Sequence, residues 1–356
     1  MKSNLKPGII HSSHLFNFSA HVSVMSGVNL RGMELFNQSS PSSFILSGLS
    51  SIPYLKVIGF LAFLVMYLIT LLANFLLIIV VKINPKLQTP MYFFLSNLSF
   101  IDICFSTTVV PKILMNTLIQ DRSISLPGCA VQMYFHLALG STECFILAIM
   151  AYDRFAAICR PLHYNTIMNK KMCTGLAAAS WTSSFINSMI HVTYTFQMSF
   201  CHSHHLNHFF CELPPFLQMS CNDTWLHYVA MYISAGIIVS LSFFLTFISY
   251  ILIVFTVLKI SSSHGRYKAL STCASHIIVV TLYYGTIMIM YLRPHSDYSP
   301  NIDKSVSILY SAVTPMLNPI IYSIRNKDIK GSIKIKFNKP IPCRTFMTYP
   351  EQVIHL

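Results

Sequence analysis

Charge is scarce in this 356-residue chain: Asp, Glu, Lys and Arg make up 10% of it, only 11 residues are acidic, and 54% are hydrophobic. A set of soluble domains needs far more charge on its surface, so that class is excluded. Two further absences narrow the reading. There is no nucleophile–base constellation and no glycine loop suited to cradling a phosphate, which leaves enzyme chemistry without a centre. The first 32 residues lack the apolar core of a cleavable signal peptide. They read as an unstructured extension, 1–32, of an amino-terminal segment that runs to residue 56. Met33 opens the stretch MELFNQSSPSSF, so Met1 and Met33 both stand as initiators.

Long uncharged runs are what the chain does have. The 25 residues between Lys56 and Lys82 carry no charge. As a helix they would measure roughly 37 Å, against a hydrocarbon core of about 30 Å. Further runs at about 91–118, 130–153, 172–196, 228–258, 269–292 and 305–324 bring the total to seven. The second and third contain Asp102 and Glu143 and are the weakest by hydropathy. One such carboxyl costs only about 3 kcal/mol on insertion scales, which the surrounding Leu, Ile and Phe offset. The expected architecture is an all-α membrane protein: a seven-transmembrane bundle over 57–324, then a short cytoplasmic helix and tail over 325–356.

A formal net charge of +13 could suggest nucleic acid, but the basic residues follow membrane sidedness rather than a binding face. Lys82, Lys86, Arg154, Arg160, Lys170, Lys171, Lys259, Arg266, Lys268 and seven more after Tyr322 fall on one side, 16 of the 24, and the loop between the fourth and fifth runs has none. This places the amino terminus outside and the carboxyl terminus in the cytoplasm, with membrane lipid and not nucleic acid as the surrounding partner. A transporter or channel is the competing class. It would call for internal repeats or a ring of like charges, and neither is found.

Residues 197–227 form the one long connection, and they hold Cys201, Cys211 and Cys221; Cys129 at the start of the third run makes four cysteines on the oxidising side. Four cysteines allow three pairings. Asn37 lies in a glycosylation sequon on the expected outer side. The same loop carries His202, His204, His205 and His208 in CHSHHLNHFFCE, a density that invites a metal or pH-sensing reading. An exposed polar loop explains it more simply, because histidine spacing alone does not preform a site.

Read in order, the runs display PMYFFLSNLSFID from Pro90, MAYDRFAAICRPLHY from Met150, Ser249-Tyr250, KALSTCASHIIVV from Lys268 and PMLNPIIYSIRN from Pro315. The ordered set, from about Met33 to Lys336, resembles the olfactory receptors, a family of rhodopsin-like G-protein-coupled receptors. Ala73, Phe155-Ala156 and Glu212 are mild departures from the family pattern. The resemblance implies a plasma-membrane, multi-pass receptor for small odorants that activates a heterotrimeric stimulatory G protein and raises cyclic AMP. The same fold could serve as a chemoreceptor outside the nose. The resemblance also implies disulfides Cys129–Cys211 and Cys201–Cys221.

By the same resemblance, Asp153 and Arg154 lie where the G protein couples, with Tyr250 and Tyr322 completing the active arrangement. A snorkelling positive-inside anchor is the plainer account of Arg154. Asn318-Pro319 would break the seventh helix near its inner end, since Pro removes a donor and clashes with the preceding turn. Asn74, Asp102, Glu143 and Asn318 fall inside the membrane, near one another if the family packing holds. Two carboxyls with amide oxygens suit a hard cation such as Na⁺ or a shared proton, where a neutral hydrogen-bonded pair that only fixes packing is the bland reading. No other cofactor is expected.

The ligand pocket is expected in the outer half of the bundle. His136, Gly140 and Ser141 lie two to three turns in from Cys129; Tyr284, Met288 and Tyr291 share a face of the sixth helix at i, i+4, i+7 spacing. Ser234, Ile238, Ser307 and Tyr310 complete the set, although a Met or aromatic stripe is more often packing than pocket. Such a lining favours small, neutral, hydrophobic ligands. Burying roughly 250 Å² of apolar ligand surface would contribute about 6 kcal/mol before entropic losses, hence affinities of about micromolar or weaker.

Overall fold

The computed structural model describes residues 42–47, 53–119, 122–200, 205–221, 223–291, 300–325 and 329. Helices follow the apolar runs: α1 Pro53–Ile83, α2 Pro90–Leu118, α3 Leu126–Cys159, α4 Lys170–Phe196, α5 Trp225–Leu258 and α6 Ser263–Tyr291. A seventh path, α7, consists of Pro300–Ile308, a π-helical turn Leu309–Val313 and Thr314–Arg325. Starts are set by proline and small polar caps. Pro90 opens α2, Ser125 accepts from the Gly128 N–H at 3.2 Å to open α3, and Asn169 accepts from the Met172 N–H at 2.9 Å to open α4.

Five of these helices, α1, α2, α3, α5 and α6, are each long and apolar enough to cross a membrane. They include the two carboxyl-bearing runs, because Asp102 and Glu143 are fully turned inward. Helix α4 falls short of that measure for a different reason: its inward stripe is Ser180, Ser184 and Ser188, at i, i+4, i+8. Helix α7 is cut into shorter pieces by its π turn. At the centre, α3 packs against α2, α4, α5 and α6. The outer faces of α1 and α5 leave Leu72 70%, Phe75 60% and Ile237 61% exposed, apolar surface that lipid accepts and water does not.

One end of the bundle is closed by a lid. Cys211 is disulfide-bonded to Cys129 at the start of α3, and its backbone N–H donates to Gln132 Oε1 at 2.9 Å. A small sheet of order β2-β1-β3 forms over the same end: β1 Ser43–Leu46 runs antiparallel to β2 Ser123–Ser125, and parallel to β3 His205–Leu206. Phe44 of β1 is buried against Phe200 and Phe216, with ring centroids 5.8 and 5.0 Å away. The segment just before α1 is therefore part of the lid.

The lid is also clasped to α7. Glu212 is fully buried and accepts hydrogen bonds from Tyr310 Oη at 2.5 Å and from Ser307 Oγ at 3.1 Å. His208 is buried beside it, with Nε2 3.6 Å from Glu212 and Nδ1 3.2 Å from the Phe210 carbonyl. Burial pushes His208 down to about 3; the Phe210 carbonyl opposes the shift, while Lys304 and His136 add to it. Cys221 is disulfide-bonded too, but its expected partner Cys201 lies outside the described residues, as do His202, His204, Asn37 and both candidate initiators.

Two outcomes follow from this lid. Cys129→Ser should destabilise the purified protein by about 2–5 kcal/mol, read as a lower thermal midpoint. The Cys129→Ser/Cys211→Ser double variant should match the single one, since one bond is lost in each; summed effects would show that the two sulfurs act separately. For His208, the folded value lies below the ordinary one near 6.5. The stabilising neutral form is then fully present above about pH 6.5 and stability is lost as pH falls from there towards 3, by at most about 1.4 kcal/mol per pH unit. His208→Phe keeps a ring against Phe209 and Phe210, and should flatten the acid side of a thermal-midpoint profile. An unchanged slope would refute this role.

Candidate functional site

Beneath the lid, α2, α3, α4, α5, α6 and α7 line a cavity of about 70 Å³. Of the residues expected at a ligand pocket, His136, Gly140, Ser141, Ser234, Ile238 and Tyr310 line it. Tyr284, Met288 and Ser307 do not, and the side chain of Tyr291 lies outside the described residues. The α6 wall is Tyr283 and Ile287, one position earlier than expected and so about 100° around the helix. Tyr284 turns away to donate to the Cys144 carbonyl at 3.1 Å. Helix α4, expected to contribute nothing, adds Asn187 and His191. An amide and an imidazole on a span were the sequence signal for that wall.

His136 is the polar feature of the cavity. It is 3% exposed, and neither ring nitrogen has a hydrogen-bond partner among the described residues. Aromatic rings pack round it: Phe105 and Phe210 each at 4.9 Å and Tyr310 at 5.6 Å between centroids. An idle imidazole offers an incoming group one N–H donor and one bare acceptor. His191 is already spent on Ser234, Nε2 to Oγ at 2.7 Å, and Tyr283 donates to the Gly140 carbonyl at 2.6 Å. A methyl group at Gly140 would sit 3.7 Å from Phe105 and 3.8 Å from Tyr283, so the glycine keeps the floor open rather than relieving a clash. Among the described residues, no Asp, Glu, Lys or Arg lines the cavity. A neutral, largely apolar molecule with one hydrogen-bonding group is what such walls can hold.

Deeper in the bundle, Asn318 Nδ2 donates to Asp102 Oδ1 at 3.0 Å and lies 3.4 Å from Glu143 Oε1, joining α7 to α2 and α3. Asn74 stands apart from the carboxyls. Its Nδ2 donates to the Thr70 and Pro315 carbonyls, each at 3.0 Å, tying α1 to α7, while its Oδ1 has no partner among the described residues.

At the end away from the lid, Arg154 is nearly buried and paired with its own neighbour, Nη2 to Asp153 Oδ2 at 3.6 Å. Tyr164 Oη donates to the other Asp153 oxygen at 2.7 Å. The link across helices here is His276: the Leu147 carbonyl, 3.1 Å from Nε2, can only accept, so Nε2 carries the proton and Nδ1 accepts from Tyr250 Oη at 2.6 Å. That imidazole joins α6 to α3 and α5, and it was not singled out from sequence. Ile253, Val257 and Cys273 form a small apolar cluster alongside. Pro319 sits inside the last piece of α7, and the buried Tyr322 hydroxyl is idle among the described residues. In the histidine-rich loop, His205 is exposed and His208 buried. The described residues contain no group of three or more His, Cys, Asp or Glu suited to a metal.

The olfactory receptor family profile matches residues 63–339. The chain is similar to olfactory receptor 5AR1 of Mus musculus, 44% identical over 302 residues that cover 85% of this chain and 97% of the other. It is 46% identical over 304 residues to olfactory receptor 5AP2 of Mus musculus, covering 85% and 96%. Against olfactory receptor 2G3 of Homo sapiens it is 46% identical over 302 residues, covering 85% and 98%. A seven-helix membrane bundle matched over most of both lengths leaves one assignment: the chain belongs to the olfactory receptor family, whose members are receptors and not enzymes.

Proposed function

We propose that the protein is an odorant receptor of the plasma membrane, that its lid end faces outward, and that the cavity around His136 is where small, neutral, hydrophobic odorants bind. The observation that carries this reading is the idle imidazole of His136, held by aromatic rings inside a lidded apolar cavity. A buried polar group without a partner is costly, and a ligand hydroxyl or carbonyl would remove that cost. Tyr283 and Tyr310 are the walls that bind α6 and α7 to the rest. A ligand that favours their rearranged positions shifts the population towards a state in which α6 moves.

The far end is the coupling face in this reading. Moving α6 requires breaking the Tyr250–His276–Leu147 link and parting the Ile253, Val257 and Cys273 cluster, which frees Arg154 to meet a stimulatory G protein and raise cyclic AMP. Tyr322, whose hydroxyl is idle, is the partner available to the rearranged side chains. Asp102 and Glu143 fit a hard cation such as Na⁺, being oxygen donors that converge on Asn318. A bound ion would supply the positive charge that lets both carboxyls stay ionised, and would favour the state with α2, α3 and α7 drawn together.

Cells expressing the chain should answer some members of a diverse volatile set with a rise in cyclic AMP. His136→Leu should shift the dose–response of ligands bearing a hydroxyl or carbonyl by about tenfold, the worth of one hydrogen bond, at unchanged surface expression; hydrocarbon analogues should shift less. Equal shifts for both would count against the imidazole contact. Arg154→Ala should abolish the cyclic AMP response to every ligand. For the ion, replacing Na⁺ in the medium should change basal signalling in the parent receptor but not in Asp102→Asn/Glu143→Gln; identical Na⁺ dependence in both would remove the cation from the scheme.

A further inference from the structure

A second and much larger hollow lies at the Arg154 end, on the lipid-facing perimeter, and the odorant reading has no use for it. It has about 690 Å³ of space, between the end of α1, the turn Pro85–Leu87, and the starts of α2 and α4. Its wall is apolar, with Ile78 and Val81 from α1 and Phe93 and Phe100 from α2, the two rings 36% and 51% exposed. Its rim is cationic. Lys82 and Lys170 both line it, both are exposed, and neither has an ion-pair partner among the described residues. Among the described residues, no Asp or Glu lines it. The Thr89 hydroxyl, also at the rim, makes no capping bond at the start of α2.

Apolar walls lying along the bilayer with two unpaired ammonium groups and an idle hydroxyl at one end match the shape and charge of an anionic phospholipid. We propose that this groove is a binding site for an anionic glycerophospholipid, its phosphate headgroup held between Lys82 and Lys170 and an acyl chain laid along Phe93 and Phe100. Two cations with no carboxylate between them favour a headgroup of net negative charge over a zwitterionic one, whose charges cancel. The rings and the α1 side chains supply the contact that a free phosphate could not use. The site joins α1, α2 and α4, so an occupant would brace those helices without touching the odorant cavity.

The test is retention of lipid by the full-length receptor, purified from mixed micelles of equimolar phosphatidylserine and phosphatidylcholine and read by native mass spectrometry. The parent protein should keep phosphatidylserine in preference. Lys82→Gln/Lys170→Gln should reduce that preference by about fivefold or more, since one lysine at an anionic surface is worth about that factor. Lys86→Gln/Lys171→Gln removes the same charge from exposed neighbours outside the groove and should leave the preference within about twofold. Ser96→Trp, which fills the groove, should lower retention while both lysines remain. Equal loss in the two glutamine pairs would reduce the effect to surface charge and overturn the site, as would equal retention of the two lipids by the parent. Displacement of phosphatidylserine by soluble glycerophosphoserine at the same concentration would equally overturn it, because the acyl groove would then contribute nothing.

Discussion

A bilayer core holds no water for a polar group to turn to, so every donor and acceptor in this bundle has to be answered from within. The hydroxyls show how thoroughly that is met. Thr70, Ser106, Thr142, Thr246 and Ser249 each donate to the carbonyl four residues back, and Ser188 crosses to the Tyr134 carbonyl on α3. Against that background the idle groups among the described residues stand out, and they include both nitrogens of His136, the Asn74 amide oxygen and the Tyr322 hydroxyl. These three fall at different places along the bundle, at the cavity, at the contact of α1 with α7 and near Arg154. Each is a place where a different partner, or a different arrangement of helices, would be better satisfied than the present one.

Helix α7 touches all three places. Its π turn Leu309–Val313 contains Tyr310, whose ring lines the cavity and whose hydroxyl donates to Glu212 of the lid. Farther along, Asn318 meets Asp102 and Glu143, and Tyr322 lies beyond Pro319. A π turn carries one residue more than the regular helix, the kind of irregularity found at functional sites in helices. The disulfide holds the lid to α3 and the Glu212 clasp holds it to α7, so the lid spans the two helices whose relative position the carboxyl cluster also fixes.

Much of this was legible in the residues. Apolar run length located the seven helical paths α1 to α7, because a span must be about 20 residues long whatever its partners are. The motif order located the polar cluster and the Arg154 end. Helix rotation was not legible on α6, where Tyr283 and Tyr284 are adjacent and both have apolar neighbours in each direction. Both hydroxyls find carbonyls on α3, and only the packed bundle decides which ring faces the cavity. The lid was hidden for another reason. Pairing of Ile45 with His205, and burial of Glu212 against Tyr310, join segments far apart in the chain whose local composition reads as exposed loop. His208, taken for part of a solvated histidine run, is among the most buried residues of the lid for the same reason.

If the cavity around His136 holds the odorant, its size constrains how a signal arises. A cavity of about 70 Å³ admits only a very small molecule while the walls stay where they are. A ligand large enough to bury roughly 250 Å² of apolar surface has to displace part of the lining. The displaceable walls are Tyr283 and Tyr310, since the α3 floor is fixed by its packing on four other helices. Tyr283 holds α6 to the Gly140 carbonyl, and Tyr310 holds α7 to the lid. Entry of ligand and loosening of α6 and α7 are then one event, and the free energy that separates the two states is the difference in how well each accommodates the ligand. Molecules that fit without moving either tyrosine would bind equally to both states and leave the receptor silent.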